Sequence, residues 1–274
     1  MLNAARLEMS GEDTMEFEGK VALVTGAGSG IGKATALRLA AGGARVGVLS
    51  LATSEVEATT AEIAANGGTA LGLTADVADE AAMEAAVAQL ASAYGRIDIL
   101  VANAGINGVW APIDDLTPQE WDTTIRVNLR GTYLTLHFAV PHLKRSGGGS
   151  IVIVSSINGS RTFSTAGATA YSATKAAQVA IAQQLAVELG RQGIRVNAVL
   201  PGSIATSIGA STVRRNADSV RFPVEFPEGT IPLSRESTGK SEDVADVIAF
   251  LASNAARHVT GMPVYVDGGQ SLVR

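Results

Sequence analysis

The segment Thr25-Gly-Ala-Gly-Ser-Gly-Ile-Gly32 directly follows the apolar run KVALVT at residues 20–25. It constrains the fold more than any other stretch of the chain. Glycines permit positive φ and let another backbone or a ligand approach the main chain closely. A glycine turn leaving a strand and opening a helix is the context of a dinucleotide-binding turn. The helix N-terminus there offers free N–H groups and partial positive charge to a pyrophosphate. A chain that begins this way is committed to a strand–helix–strand unit and hence to a parallel sheet.

The rest of the chain keeps that rhythm. Short apolar runs at residues 20–25, 45–50, 69–74, 98–102, 150–155, 194–200 and 263–266 read as strands. Longer amphipathic stretches at 33–42, 54–66, 79–94, 168–191 and 241–253 read as helices. A further helix opens at Thr117, with Pro118 at its first position and Glu120 at its third, the pattern of a capping box. It runs, with a break near 128–131, to Arg145. Strands apolar throughout and separated by helices predict a doubly wound Rossmann α/β fold: a seven-stranded parallel sheet with helices on both faces. Residues 1–16 read as an N-terminal extension, with Met15 an alternative start, and 17–274 as a single domain. Residues 203–240 show no clear period and hold Pro223, Pro227 and Pro232, the mark of a functional loop beside a substrate site.

Composition excludes several classes. Net charge is −5 with no basic stripe, which argues against a nucleic-acid surface. There is no cysteine, hence no disulfide framework, thiolate nucleophile or thiolate metal site. No apolar run reaches the roughly 18 residues of a membrane span. The N-terminus lacks the apolar core of a secretory signal, so the expected location is cytoplasmic. His137, His142 and His258 do not have metal-like spacing.

Tyr171 and Lys175 are four residues apart in an expected helix and so share a face. A phenol with its ordinary pKa of about 10 is a poor acid–base catalyst at neutral pH, and a nearby cation favours its ionised form. The pair is therefore a candidate for moving protons on and off an alcohol oxygen. Ser155 and Ser156 end the fifth strand upstream.

Taken in order, these motifs make the chain resemble the short-chain dehydrogenase/reductase family over residues 17–274. They are the TGAGSGIG turn, Asp76-Val77 after the third strand, Asn103-Ala104-Gly105 after the fourth, and Asn128 within RVNLRG. Ser156, Tyr171 with Lys175, Pro201-Gly202 and the VDGG at 266–269 follow. The resemblance implies an NAD(P)-dependent oxidoreductase that interconverts a secondary alcohol and a ketone by hydride transfer. It implies that Tyr171 is the general acid/base and that Ser156 binds the same oxygen. It gives Lys175 the task of lowering the Tyr171 pKa and binding the nicotinamide ribose, and Asn128 that of holding a proton-relay water. Cofactor contacts would come from Gly26, Ser29, Gly30, Ile31, Ser50, Asp76, Val77, Asn103, Ala104, Gly105, Pro201, Gly202, Ile204 and Thr206, with Tyr171 and Lys175. Asn103 also reads as a tie between two strand ends. The interval from Ser156 to Tyr171 is longer than is usual in the family, which enlarges the loop at 160–169.

An acid about 20 residues past the glycine turn selects NAD, and an arginine nearby accommodates the 2′-phosphate of NADP. Ser50 and Leu51 stand where these would be, and Ser29 is uncharged as well. Desolvating a dianionic phosphate without a cation is costly, which favours NAD, although Ser50, Thr53 and Ser54 could hydrogen-bond a phosphate. The expected pocket is lined by 107–110, 156–163 and the segment after Thr206, with Arg161, Arg214, Arg215 and Arg221 close by. The expected substrate is a small or medium alcohol or ketone, and the resemblance implies a homotetramer. The rival readings are a cofactor-retaining isomerase or dehydratase, and a non-catalytic dinucleotide-sensing protein.

Overall fold

The computed structural model describes residues 16–160, 165–222, 231–236 and 238–273. Arg161, Phe163, Phe226 and all of the expected N-terminal extension except Glu16 lie outside them. In chain order the elements begin β1 (Val21–Thr25), α1 (Gly30–Ala41), β2 (Arg45–Ser50), α2 (Thr53–Ala65), β3 (Thr69–Thr74), α3 (Glu80–Tyr94) and β4 (Ile99–Ala102). Next come β5 (Gly108–Trp110), α4 (Pro118–Ile125), α5 (Gly131–Arg145), β6 (Gly149–Val154) and α6 (Thr169–Leu189). The series ends with β7 (Ile194–Pro201), β8 (Thr212–Arg214), α7 (Ser241–Ala252) and β9 (Pro263–Val266).

Seven strands form one sheet in the order β3-β2-β1-β4-β6-β7-β9, with every neighbouring pair parallel. The expected seven-stranded doubly wound sheet is therefore present. Winding reverses between β1 and β4, and the crevice at such a reversal is where ligands bind in open α/β sheets. Two apolar clusters cover the two faces. One includes Leu23, Leu100, Ile151 and Val196, and the other Val24, Val101, Val152 and Val199. In the five inner strands adjacent residues point to opposite faces and both are buried, which explains why those strands are apolar throughout, while the edge strands β3 and β9 are partly exposed.

Helix ends follow their sequence signals. Asp79 caps α3 by accepting from the Ala82 amide at 2.8 Å. The expected capping box of α4 is formed: Thr117 Oγ1 accepts from the Glu120 amide and Glu120 Oε2 from the Thr117 amide. Helix α1 starts at Gly30, earlier than expected, because Gly32 packs directly on the Gly26 carbonyl, where a Cβ would have no room. The expected break before Gly131 is a π-helical turn at Arg126–Arg130 joining α4 to α5.

The loop after β7 has more structure than its sequence suggests. β8 pairs in parallel with β5 through Gly108↔Thr212, Val109↔Val213 and Trp110↔Arg214, forming a second, two-stranded sheet. Arg215 fastens this sheet to α4 through a two-pronged contact with Glu120, at 2.7 Å to Oε1 and 2.8 Å to Oε2. That contact, with the Thr117 backbone, holds the Glu120 carboxyl down to about 2.

Asp98, just ahead of β4, accepts from the Val21 amide at 3.0 Å and from Arg96 Nε at 2.8 Å while its own side chain is 5% exposed. Removing it strands a buried amide and a cation. In urea unfolding, Asp98→Ala should lose about 3 kcal/mol, against about 1 kcal/mol for the cap variant Thr117→Ala.

Candidate active site

At the reversal, one threonine organises two strand ends. Thr25 Oγ1 accepts from the amides of Asn103 (3.0 Å) and Ala104 (3.2 Å), and Asn103 Nδ2 donates to the Thr25 carbonyl at 2.9 Å. The glycine turn is thereby pressed against the segment after β4. A Cβ on Gly26, whose φ is +65°, would lie 2.9 Å from Ala104 Cα. Gly30, at φ +53°, faces Thr206, and Ser29 Oγ meets Ser207 Oγ at 3.0 Å. The bare turn and the unpaired first-turn N–H groups of α1 fit a pyrophosphate.

A cavity of about 830 Å³ opens there. Gly26, Ser29, Gly30, Ile31, Ser50, Asp76 and Val77 line it on the β1–β3 side. Asn103, Ala104, Gly105, Pro201, Gly202, Ile204 and Thr206 line it from β4 and β7. Ser156, Tyr171 and Lys175 stand on its wall as well. Every sequence-expected site residue is thus brought to one cavity except Asn128.

Asn128 sits in the π-helical turn and is fully buried. Its Oδ1 accepts from the Ile106 amide and its Nδ2 donates to the Ile106 carbonyl, both at 2.8 Å, and also to Thr174 Oγ1 at 3.2 Å. Its own carbonyl accepts from Thr132 Oγ1 at 2.7 Å and Gln178 Nε2 at 3.0 Å. Asn128 therefore ties the segment after β4 to α6, one layer behind the cavity wall.

The two serines separate cleanly. Ser155 Oγ donates to the Lys175 carbonyl at 2.7 Å, which spends it on holding α6. Ser156 Oγ accepts from the Asn158 amide at 3.1 Å and also meets the Tyr171 hydroxyl. Tyr171 is 8% exposed, and burial raises its pKa while the Ser156 contact opposes that. Lys175 Nζ donates to the Val154 carbonyl at 2.9 Å and lies 5.5 Å from the Tyr171 ring centre. Burial brings the Lys175 ammonium down to about 7. Within the protein alone, desolvation thus outweighs the expected lowering of the Tyr171 pKa.

Trp110, Arg214 and Arg221, expected beside the pocket, line it, and so does Arg126, which was not singled out from the sequence. Trp110 packs 6.4 Å from Tyr171, ring centre to ring centre, and carries the Arg214 guanidinium 5.0 Å above its own. Arg126 reaches Asp76 at 3.1 Å, and Arg221 also faces the cavity. The signal for Arg126 was available: it shares the RVNLRG segment with Asn128. The VDGG segment is a turn, in which Asp267 accepts from the amides of Gly269 and Ser271. Among the described residues, no cluster of His, Asp and Glu could hold a metal, and no helix is long and apolar enough to cross a membrane.

Residues 26–271 match the family model described as enoyl-(acyl carrier protein) reductase. The chain is 40% identical to (2S)-[(R)-hydroxy(phenyl)methyl]succinyl-CoA dehydrogenase subunit BbsD of Thauera aromatica, over 94% of this chain and 99% of the relative. A 3-ketoacyl-ACP reductase structure from Sinorhizobium meliloti 1021 is 60% identical, with a TM-score of 0.89 over 93% of this chain and 100% of its own. A 3-ketoacyl-(acyl-carrier-protein) reductase from Brucella melitensis complexed with NADH is 36% identical, with a TM-score of 0.82 over 93% and 99%. The family model spans the glycine turn, Ser156, Tyr171, Lys175 and the segment after β7 together. The chain belongs to the short-chain dehydrogenase/reductase family of NAD(P)-dependent oxidoreductases.

Proposed function

We propose that this enzyme interconverts a secondary alcohol and a ketone at the cavity floor formed by Ser156 and Tyr171, with Tyr171 as the general acid/base. The observation that carries this reading is the convergence of the two hydroxyls on one wall, opposite the glycine turn. The glycine turn with Ser50, Asp76 and Asn103–Gly105 would hold a nicotinamide dinucleotide, whose chemistry there would be hydride exchange with the substrate carbon. Tyr171 Oη gives its proton to the substrate oxygen in reduction and removes it in oxidation. Ser156 Oγ hydrogen-bonds the same oxygen and fixes its direction, with the Asn158 amide orienting the serine. Lys175 is held by the Val154 carbonyl beside Tyr171, and in its protonated form favours the phenolate. Asn128 acts through position: it fixes Ile106 and Thr174, the latter adjacent to Lys175.

The substrate class is a small or medium alcohol or ketone, admitted beside Trp110 and the β5–β8 sheet. The preferred cofactor is NAD. Support comes from the uncharged Ser50 and Leu51 on the cavity wall and from the Brucella melitensis relative complexed with NADH. The rival isomerase and sensor readings lose ground, because the relatives are named as dehydrogenases and reductases and the acid–base pair is intact. A single-domain, cytoplasmic homotetramer fits the family. The exposed Tyr133 on α5 and Val187 on α6 give those helices apolar surface for it.

Tyr171→Phe should lower kcat by about 10²–10⁴-fold while NADH binding, read by the fluorescence of the bound dinucleotide, stays unchanged. Equal turnover by parent and variant across a ketone panel would refute the mechanism.

Lys175 adds a signature in stability. Its folded pKa of about 7 lies below the ordinary 10.5, so between those values the unfolded chain binds a proton that the folded chain does not. Stability should therefore rise with pH through that window, and the cost of the buried ammonium is felt in full below it. Thermal unfolding should show Lys175→Met more stable than the parent at and below pH 7, the gap closing as pH climbs toward 10.5.

A further inference from the structure

β2 ends in the uncharged Ser50, and the neighbouring helix α2 brings a carboxylate against it. Ser50 lines the cavity, and its Oγ donates to Glu55 Oε2 at 3.2 Å. Glu55 belongs to the first turn of α2 and its carboxylate lies against the glycine turn. A Cβ at Gly28 would overlap that carboxylate, and would sit 2.6 Å from Glu55 Cβ and 2.9 Å from Ser50 Oγ. The other Glu55 oxygen has no partner among the described residues, nor does any cation bond to this pair.

We propose that Glu55 and Ser50 act together as an NAD selector, with Glu55 as a positioning residue behind the serine. The inference rests on the NAD reading above and supplies its physical cause. A serine hydroxyl has one proton and two lone pairs. Because Glu55 takes the proton, Ser50 presents only acceptor lone pairs to the cavity. A ribose 2′-hydroxyl can donate to them. An ionised 2′-phosphate has only acceptor oxygens and finds no donor, and it meets the Glu55 charge close behind. The serine that on its own could have donated to a phosphate is turned into a neutral stand-in for the missing acid. The bare Gly28 is part of the device, since any side chain there would push Glu55 off the serine.

Direct titration of the purified protein with NADH and NADPH, by isothermal calorimetry and without substrate, tests this. The parent should bind NADH the more tightly. Glu55→Gln removes the charge and puts an amide NH2 within reach of Ser50 Oγ, which can then accept from it and keep its proton for a phosphate, and should shift the NADH/NADPH affinity ratio toward NADPH by about tenfold or more. In a Ser50→Ala background the same Glu55→Gln change should shift the ratio much less, because the two residues act as a unit. If the parent showed no preference, the NAD reading and the selector would both fall. If the parent preferred NADH and Glu55→Gln kept that preference, only the selector would fall. The latter is also the result expected if Glu55 merely supports the start of α2, with a lowered Tm and both affinities unmoved. An undiminished shift in the Ser50→Ala background would overturn the coupling to the serine.

Discussion

The clasp between Thr25 and Asn103 is the contact from which the rest of the site is built. One hydroxyl holds two amides of the neighbouring strand's exit, and one carboxamide returns the bond to the Thr25 carbonyl. The β1–β4 ladder ends at Val24 and Val101, and the clasp carries the pairing on to the segments beyond it. With it, the glycine turn and the Asn103–Gly105 segment are pressed together to a distance at which only glycine fits at position 26. The clasp explains why a backbone-lined wall meets a side-chain-lined wall across one crevice. Asn128 repeats the device one layer deeper, gripping both main-chain groups of Ile106.

A second theme is that polar groups are buried here at a cost to stability. Lys175 has one carbonyl partner and its charge is opposed by its surroundings. Tyr171 is pushed the other way by the same burial. Each group is thus displaced from its ordinary ionisation range, Lys175 to near neutrality. Perturbation of this kind is concentrated where proton transfer is performed. Tyr171 and Lys175 both stand on α6, whose first turns are fixed to the end of β6 by the bond from Ser155 to the Lys175 carbonyl.

Much of this was legible in the chain. The apolar runs marked every strand of the large sheet, most clearly the inner ones, where burial on both faces leaves no room for alternation. The motif order located the cavity and all but one of the residues expected on it. What escaped has specific causes. β5 and β8 are three residues each, too short for a period, and their pairing joins residues about a hundred positions apart. The break near 128–131 was legible, but not its π-helical form or its start at Arg126, since RVNLRG carries no breaker before Gly131. Glu55 was passed over because the selecting acid was sought at the strand end, and a helix that starts at Thr53 folds its first turn back over that end. Lys175 was expected to act on Tyr171 as a full cation, but a four-residue spacing says nothing about how dry the shared face is.

The small β5–β8 sheet divides the molecule by how change can enter it. The wall that carries Ser156, Tyr171 and Lys175 is continuous with the core, while the β5–β8 wall is joined through three backbone pairs, the Arg215–Glu120 clamp and the Asn107–Thr212 and Asn216–Asp115 bonds. Substitutions in the second wall leave the sheet's interior untouched, so that surface can be reshaped while the proton-transfer geometry is inherited intact. A relative named for a CoA ester and one named for acyl-carrier-protein both match this chain over more than nine-tenths of its length.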